Sequence, residues 1–141
     1  MSHLYSTRVT AVGGRAGSVK SDDGLLELDL ALPKALGGAG GATNPEQLFA
    51  AGYAACFENA VIHVTRNTDD KVGDRDIVVT AEVGMKPNDS GGFQLSVVLE
   101  VEIAGVDQET AERIVLQAHE VCPYSNATRG NIDVSLKVTS R

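Results

Sequence analysis

The stretch "TNPEQLFAAGYAACFENAVIHVTR", residues 43–66, carries the clearest helix signal in the chain. Asn44 is a good helix cap, and Pro45 suits the first helical position because its missing N–H would have no partner there. Glu46 suits the positive end of the helix dipole, and Gln47 can complete a capping box with Asn44. We therefore predict that a helix begins at Pro45.

This helix is predicted to run to about Arg66 and is apolar on nearly every side. A helix of this kind has to be covered from several directions, which one 141-residue chain does with difficulty. We therefore expect an obligate homodimer with a large hydrophobic interface. Gly52 is the one weak point of the helix and indicates a bend or a close approach by another backbone.

Strand patterns lie on both sides of the helix, and a flexible glycine-rich connector, Gly37–Ala42, precedes it. The predicted strands are Leu4–Val12, Ser18–Ser21 and Leu25–Leu32 before the helix, and a hairpin of Asp76–Lys86 with Phe93–Ile103 and a last strand Ile132–Val138 after it. The first three strands predict an antiparallel meander.

The segment "VDQETAERIVLQAHEV", residues 106–121, predicts an amphipathic helix. Its core-facing residues are expected to be Ile114, Val115, Ala118 and Val121. The helix should end near Val121 because Pro123 disfavours helical geometry at the residue before it. The order of elements predicts an α+β fold with antiparallel sheets around a central buried helix, in a single domain over residues 1–141.

Composition narrows the possible partners. The net charge of −7 argues against nucleic acid and against an anionic membrane surface, both of which are held by clustered Lys and Arg. The N-terminal "MSHLYSTRVT" lacks the pattern of a secretory signal, and no apolar run is long enough to span a bilayer. We expect a cytoplasmic protein that acts on a small neutral or apolar molecule.

The chain has two cysteines, Cys56 within the apolar helix and Cys122 in "HEVCPY". Most thiols in apolar helices are inert, and burial alone raises a thiol pKa, so a reactive Cys56 needs a nearby cation. His119 and Cys122 share the i, i+3 spacing of metal ligands, but too few other donors are present for a full site, and we expect no metal. A role as a resolving thiol fits Cys122 better than metal binding, because the end of a helix can rearrange when a disulfide forms or breaks.

A cation for Cys56 is offered by Arg15, which lies among glycines in "VGGRAGS". A buried guanidinium needs a carboxylate or thiolate partner, and Glu46 is the natural choice. Ten residues of straight helix separate Glu46 from Cys56 by about 15 Å. One arginine therefore serves both only if the helix bends, a loop carries Glu46 back, or one group comes from a second subunit.

Taken together, these residues form a pattern that resembles the organic hydroperoxide resistance proteins, the Ohr branch of the OsmC/Ohr family. The resemblance covers essentially the whole chain. It is carried by "LYSTRVTAVGGRAG", "ATNPEQLFAAGYAACFENAV" and "VCPYSNATRGNIDVSL", the last two of which are long and specific. The segment "AGSVKSDDG" departs from the family pattern through Lys20 and a second aspartate.

The resemblance implies a thiol-dependent peroxidase that works as an intertwined homodimer. Cys56 is then the peroxidatic cysteine and Cys122 the resolving one, with Arg15 as the activating arginine and Glu46 as its partner. An apolar pocket for alkyl or fatty-acyl hydroperoxides is expected from Leu48, Phe49, Tyr53 and Phe57. No nicotinamide or flavin fingerprint is present, so we expect no bound cofactor and an external dithiol reductant, in this family typically a dihydrolipoyl group on a lipoylated protein.

Two alternatives remain at this stage. The cysteine pair could instead belong to a non-enzymatic redox sensor whose oxidised surface is recognised by a partner. Alternatively, the chain could be a peroxidase with the broader substrate choice of OsmC-type proteins.

Overall fold

The computed structural model describes residues 2–141, which form two compact units. The first unit extends to Leu48 and the second runs from Phe49 to Arg141. The described residues form an α+β fold, as the sequence predicts, with two sheets and three α-helices, one helix more than predicted. The single domain expected over residues 1–141 stays a prediction.

The first unit is built on a three-stranded antiparallel sheet in the order β1-β2-β3. Its strands are β1 (Val9–Val12), β2 (Ser18–Ser21) and β3 (Glu27–Asp29). This confirms the predicted meander, although β1 and β3 are shorter than the patterns Leu4–Val12 and Leu25–Leu32. The central strand, β2, pairs with β1 through residues 18–21 and with β3 through residues 18–20.

Helix α1 (Pro45–Arg66) confirms the predicted helix at both ends. Asn44 caps it, since its Oδ1 accepts a hydrogen bond from the Gln47 N–H at 2.9 Å. The predicted capping box is wrong, because Oε1 of Gln47 accepts from the Thr43 hydroxyl at 2.6 Å rather than from the backbone of Asn44. A side-chain hydrogen bond between Thr43, the residue before the cap, and Gln47 therefore reinforces the start of the helix.

Gly52 marks a close approach, but by a side chain and not by a backbone. A Cβ at this position would lie 2.5 Å from the Tyr124 hydroxyl oxygen and 3.0 Å from Cζ of the same ring. The helix itself is continuous through Gly52. The glycine thus makes room for an aromatic ring against α1.

The second unit holds a sheet in the order β4-β5-β6. Its strands are β4 (Ile77–Pro87), β5 (Phe93–Ile103) and β6 (Val134–Ser140). The first two form the predicted antiparallel hairpin, but β6 runs parallel to β5, so the expectation of purely antiparallel sheets is wrong here. The long helical connection between β5 and β6 returns the chain to the end from which β5 starts, as a parallel pair requires.

The core of the second unit forms around one face of β5. Alternate side chains of this central strand are almost fully buried, as the period of two dictates. Those residues are Val97, Leu99, Val101 and Ile103. Buried side chains of α1 and of the next helix belong to the same cluster.

That next helix is α2 (Gln108–Val121), which ends where predicted, and a further short helix, α3 (Pro123–Thr128), follows it. Ile114, Val115 and Ala118 are buried as expected, but Val121 is 49% exposed. Cys122 continues the buried row instead, because it lies four residues after Ala118 and so on the same face. Within residues 2–141, no helix is long and apolar enough to cross a membrane.

Asp107 caps α2, and its carboxylate makes part of the protein's stability depend on pH. The Thr110 side chain, together with the Thr110 N–H that donates to Oδ1 of Asp107 at 2.8 Å, holds the pKa of the carboxyl below its usual range. Because the folded-state pKa is depressed, the stabilisation is present above the unfolded pKa and is lost as pH falls through the folded pKa. We expect Asp107→Ala to lower Tm by a few degrees at pH 7 and to converge with the unmodified protein in acid.

The matched variant is Asp107→Asn, which keeps a capping oxygen without a titrating group. Asp107→Asn should be more stable than Asp107→Ala by an amount that varies little with pH, while its own Tm deficit against the unmodified protein should shrink in acid as that of Asp107→Ala does. Scanning calorimetry of the three proteins between neutral and acid pH measures this, and a deficit in Asp107→Ala that persists unchanged in acid would contradict the assignment.

Candidate active site: a pair of thiols in the second unit

The structure brings the two cysteines together. Cys56 lies on α1 and Cys122 at the junction of α2 and α3, 66 residues later, with 3.9 Å between their sulfur atoms. Both are free thiols. Cys122 is fully buried whereas Cys56 is half-buried, so a reagent from solvent reaches Cys56 first.

Cys122 is held by its position between two helices. Its N–H donates to the Ala118 carbonyl at 2.9 Å, which closes α2, and its carbonyl accepts from the Asn126 N–H at 3.0 Å, which opens α3. Its backbone is extended because Pro123 disfavours helical geometry at the residue before it. Both backbone polar groups of Cys122 are thus occupied, and its thiol is directed at Cys56.

The surroundings of Cys56 in the second unit favour the neutral thiol. Burial raises its pKa, and the neighbouring sulfur of Cys122 raises it further. The backbone N–H of Tyr124 donates a hydrogen bond to the sulfur and acts in the opposite direction. This N–H is in the first turn of α3, where N–H groups have no partner within the helix. A thiolate at Cys56 therefore requires further positive charge.

The predicted pair of Arg15 and Glu46 forms within the first unit. Nη1 of Arg15 lies 2.7 Å from Oε1 and 3.1 Å from Oε2 of Glu46, so one nitrogen contacts both carboxylate oxygens. The Glu46 side chain is largely buried, and that of Arg15 is partly exposed. Glu46 lies in the first turn of a continuous α1, so neither a bend nor a loop moves it back along the helix.

Glycines shape the turn that carries Arg15. The arginine lies in a short 3-10 turn, Gly14–Ala16, between β1 and β2. Gly13 has a φ of 85°, a left-handed conformation that side chains rarely adopt. A Cβ at Gly17 would lie 1.7 Å from the carbonyl oxygen of Val12, so only glycine fits there. The turn can close tightly while leaving the long arginine side chain to reach Glu46.

A cavity of about 710 Å³ lies in the second unit, beside the Cys122 junction. It is bounded by the start of α1, the tip of the β4–β5 hairpin, and α3 with the loop after it. The lining residues are Phe49, Asn88, Phe93, Gln94, Leu95, Pro123, Tyr124, Ala127, Thr128, Asn131 and Ile132. Its wall is mostly apolar with a few amide and hydroxyl groups, and it includes the two residues that follow Cys122.

Of the four predicted pocket residues, Phe49 alone lines this cavity. Tyr53 and Phe57 are fully buried in the core and do not line this cavity, and their place at a substrate site stays a prediction. They face inward because they lie four residues apart on the buried side of α1. Leu48 is half-buried and belongs to the first unit.

His119 is engaged by a hydroxyl group. Its Nδ1 lies 2.8 Å from Oγ of Ser125, which in turn lies 2.8 Å from the Tyr53 hydroxyl. Burial and the charge of Arg129 lower the pKa of His119, which favours a neutral imidazole. Among residues 2–141, no group of three or more His, Cys, Asp or Glu side chains is placed to hold a metal ion.

Sequence reasoning missed two residues close to the thiols, Tyr124 and Ser125. The N–H of Tyr124 donates to the Cys56 sulfur, and Ser125 contacts His119. Tyr124 packs its ring on Phe49 and Tyr53, with ring centres 6.1 and 5.6 Å away. Both residues lie in "CPYSN", directly after Cys122. The proline at the first position of a helix was an available signal for α3, and it would have placed both residues within one helical turn of the thiol.

Comparisons with known proteins agree with this architecture. The family model of OsmC-like proteins matches residues 38–137. The organic hydroperoxide resistance protein OhrB of Bacillus subtilis is 47% identical over 136 residues, which is 96% of this chain and 98% of that protein. A crystal structure of an organic hydroperoxide resistance protein from Legionella pneumophila is 54% identical and superposes with a TM-score of 0.93 over 98% of this chain and 99% of that one.

A second crystal structure, of an organic hydroperoxide resistance protein from Elizabethkingia anophelis, is 50% identical and has a TM-score of 0.94 over the whole of both chains. The likeness extends over both units, and identity of this degree over nearly the full length indicates common descent. This chain therefore belongs to the OsmC/Ohr family, among the organic hydroperoxide resistance proteins.

Proposed function

We propose that the protein is a thiol-dependent peroxidase that reduces organic hydroperoxides to alcohols. The observation that carries this proposal is the 3.9 Å separation of two free sulfur atoms, one half-buried and one fully buried, in a chain of the OsmC/Ohr family. A solvent-accessible thiol beside a sheltered one suits an attacking and a resolving cysteine. The curated relatives are named for resistance to organic hydroperoxides.

The chemistry would proceed in three balanced steps. The Cys56 thiolate attacks the terminal oxygen of ROOH, the O–O bond breaks, and RO⁻ takes up a proton to leave as ROH. Cys56 is then a sulfenic acid, which condenses with the Cys122 thiol to form a disulfide and water. A dithiol reduces the disulfide by thiol–disulfide exchange and is itself oxidised to a disulfide.

The first step requires a thiolate, and we assign its stabilisation to Arg15, from either copy of a dimer. A thiol of ordinary pKa is only a few per cent ionised at pH 7. Lowering that pKa by about three units takes about 4 kcal/mol of preferential stabilisation of the anion. The environment of Cys56 in the second unit acts the other way, so a guanidinium that is oriented by Glu46 is the candidate for the missing charge. The same cation would stabilise the departing alkoxide.

The cavity beside the thiols supports an apolar substrate. Pro123 and Tyr124 form part of its wall, and the N–H of Tyr124 donates to the Cys56 sulfur. The remaining apolar wall includes Phe49, Phe93 and Ile132. An alkyl or acyl chain gains hydrophobic stabilisation by leaving water for such a surface, whereas hydrogen peroxide has no apolar part to bury.

The reductant would be an external dithiol, and a dihydrolipoyl group on a lipoylated protein fits the family. Because Cys122 is fully buried, the reductant would attack the disulfide at the Cys56 sulfur, by the same route as the substrate. A narrow dithiol can follow that route. We place this chemistry in the cytoplasm, where dithiols are kept reduced.

We further propose that the working protein is a homodimer. Large apolar side chains of the first unit are exposed, among them Leu4, Val12 and Leu25, the last at 89%. Every residue of β1 is exposed as well. A three-stranded sheet needs an apolar face covered by other structure to be stable, and a second copy would supply that cover.

Removing each thiol should separate their roles. Cys56→Ser should abolish the consumption of cumene hydroperoxide in the presence of dihydrolipoamide. Cys122→Ser should allow one turnover and then accumulate the sulfinic acid of Cys56, because its sulfenic acid has no partner. A coupled spectrophotometric assay and intact-protein mass spectrometry measure both outcomes.

The comparison protein for this experiment is the unmodified chain. Its steady turnover of cumene hydroperoxide supports the peroxidase, whereas a single stoichiometric oxidation followed by no further consumption would instead indicate a redox sensor. Initial rates that are equal for hydrogen peroxide and a fatty-acid hydroperoxide would contradict the role of the apolar cavity and indicate a broader OsmC-type substrate choice.

Replacing Arg15 should change the ionisation of Cys56. We expect Arg15→Ala to raise the Cys56 pKa by more than a unit, measured as thiolate absorbance against pH in the Cys122→Ser background, because the compensating charge is lost. The control is Arg8→Ala, which removes another arginine of the first unit whose side chain is 86% exposed. An equal thiolate titration in both variants would refute the role of Arg15.

The association state gives a direct test of the dimer. Sedimentation equilibrium of the purified protein at micromolar concentration should give twice the chain mass of 14.8 kDa. Val12→Glu should shift this towards the monomer or towards aggregation, because it places a charge in the proposed interface. A single species of one chain mass in the unmodified protein would contradict the proposal.

A further inference from the structure

A buried hydrogen-bonded chain of four side chains crosses the junction that holds Cys122. We call it the clasp, and its members are Tyr53, His119, Ser125 and Thr128. Ser125 and Tyr53 are fully buried and Thr128 nearly so. The steps proposed for peroxide reduction use none of these groups.

The clasp joins the helices that carry the two thiols. His119 is in the last turn of α2, three residues before Cys122, and Ser125 is in α3, three residues after it. Their contact of 2.8 Å therefore bridges the break in the helix at Cys122. Ser125 also contacts Tyr53 at 2.8 Å, and Tyr53 lies on α1 three residues before Cys56, on nearly the same face.

Two further contacts brace the same junction. A guanidinium nitrogen of Arg129, which follows α3, donates to the backbone carbonyl of His119 on α2. The ring of Tyr124 rests on α1 at Gly52, where the absence of a side chain admits it. Backbone bonds alone would leave α2 and α3 free to pivot at Cys122, and these contacts fix their relative orientation.

Counting protons shows that the clasp can be fully satisfied. Thr128 donates its hydroxyl proton to the Ser125 carbonyl, at 3.2 Å. Its oxygen can then accept from the Tyr53 hydroxyl at 3.2 Å, and the Tyr53 oxygen can accept from Ser125. Ser125 is left to accept from Nδ1–H of His119. Every donor is used once, and a buried network in which all members are paired confers rigidity.

We propose that the clasp positions Cys122 for its attack on oxidised Cys56, so that His119, Ser125 and Tyr53 set the rate of disulfide formation. A disulfide has sulfur atoms about 2 Å apart, so the thiols at 3.9 Å must close by roughly 2 Å. Holding one reactant in place lowers the barrier of such a step because less freedom is lost in reaching it. The identity of the oxidant rests on the proposed function, but the positioning does not.

The test uses an oxidant other than a peroxide. Dithiobis(nitrobenzoate) is attacked first by Cys56, which forms a mixed disulfide and releases one nitrothiobenzoate. Cys122 then attacks the Cys56 sulfur, forms the protein disulfide and releases a second nitrothiobenzoate. Stopped-flow absorbance resolves the two releases, and the second phase measures closure alone.

We expect Ser125→Ala, which removes the centre of the clasp, to slow the second phase about tenfold, and Tyr53→Phe, which removes one hydroxyl, to slow it about threefold. The first phase should stay within about twofold of the unmodified protein, because none of the hydrogen bonds that make up the clasp involves Cys56. The matched control is Thr65→Val, which removes another buried hydroxyl of α1 that bonds only within its own helix, to the Ile62 carbonyl. It should slow neither phase.

An unchanged second phase in both clasp variants would overturn the proposal, as would an equal slowing in Thr65→Val or a parallel slowing of both phases. Peroxide provides the second arm, in which the clasp variants should accumulate the sulfinic acid of Cys56 under cumene hydroperoxide. If no protein consumes peroxide but the second phase is slowed as expected, the proposed function fails and the clasp stands. Normal peroxide turnover with an unchanged second phase supports the peroxidase and overturns the positioning role of the clasp.

Discussion

The contact between Cys56 and Cys122 is the constraint around which the second unit is built. It depends on a helix that stops at a defined place. Pro123 disfavours helical geometry at Cys122, whose backbone is extended. Helix α2 therefore ends before Cys122 and a separate helix, α3, begins after it. Gly52 lets the Tyr124 ring settle on α1, and the fully buried Tyr53 joins α1 to α3 through its hydroxyl. Together these contacts fix the positions of α1, α2 and α3 that bring the two sulfur atoms to 3.9 Å from each other.

Burial of the sulfur pair has two opposed consequences. It leaves Cys122 fully buried and Cys56 as the more accessible of the two thiols. It also raises the Cys56 pKa, which works against the anion that nucleophilic attack requires. A single backbone N–H, that of Tyr124, opposes this effect within the second unit. The thiolate that the proposed peroxidase chemistry needs is thus disfavoured within the second unit, and the paired Arg15 and Glu46 of the first unit are the proposed source of compensating charge.

Local signals in the sequence account for several features of the structure and fail at others. Capping by Asn44, the end of α1 at Arg66, the β4–β5 hairpin and the pairing of Arg15 with Glu46 were all predicted, because each is signalled by local residue types or by the family resemblance. Val121 was misplaced because periodicity alone does not tell which of two neighbouring residues completes a buried row. The direction of β6 was missed because alternation is the same in parallel and antiparallel strands.

The amino-acid sequence by itself determined the family and most of the helices and strands, since these depend on residue type, short spacings and long specific strings. Only the tertiary structure decided which residues face the cavity, that Tyr53 and Phe57 are core residues, and that His119 forms a hydrogen bond with Ser125. The physical reason is that burial and hydrogen bonding between distant segments are properties of packing. Tyr53 and Ser125 are 72 residues apart, and no local pattern in either segment specifies their contact.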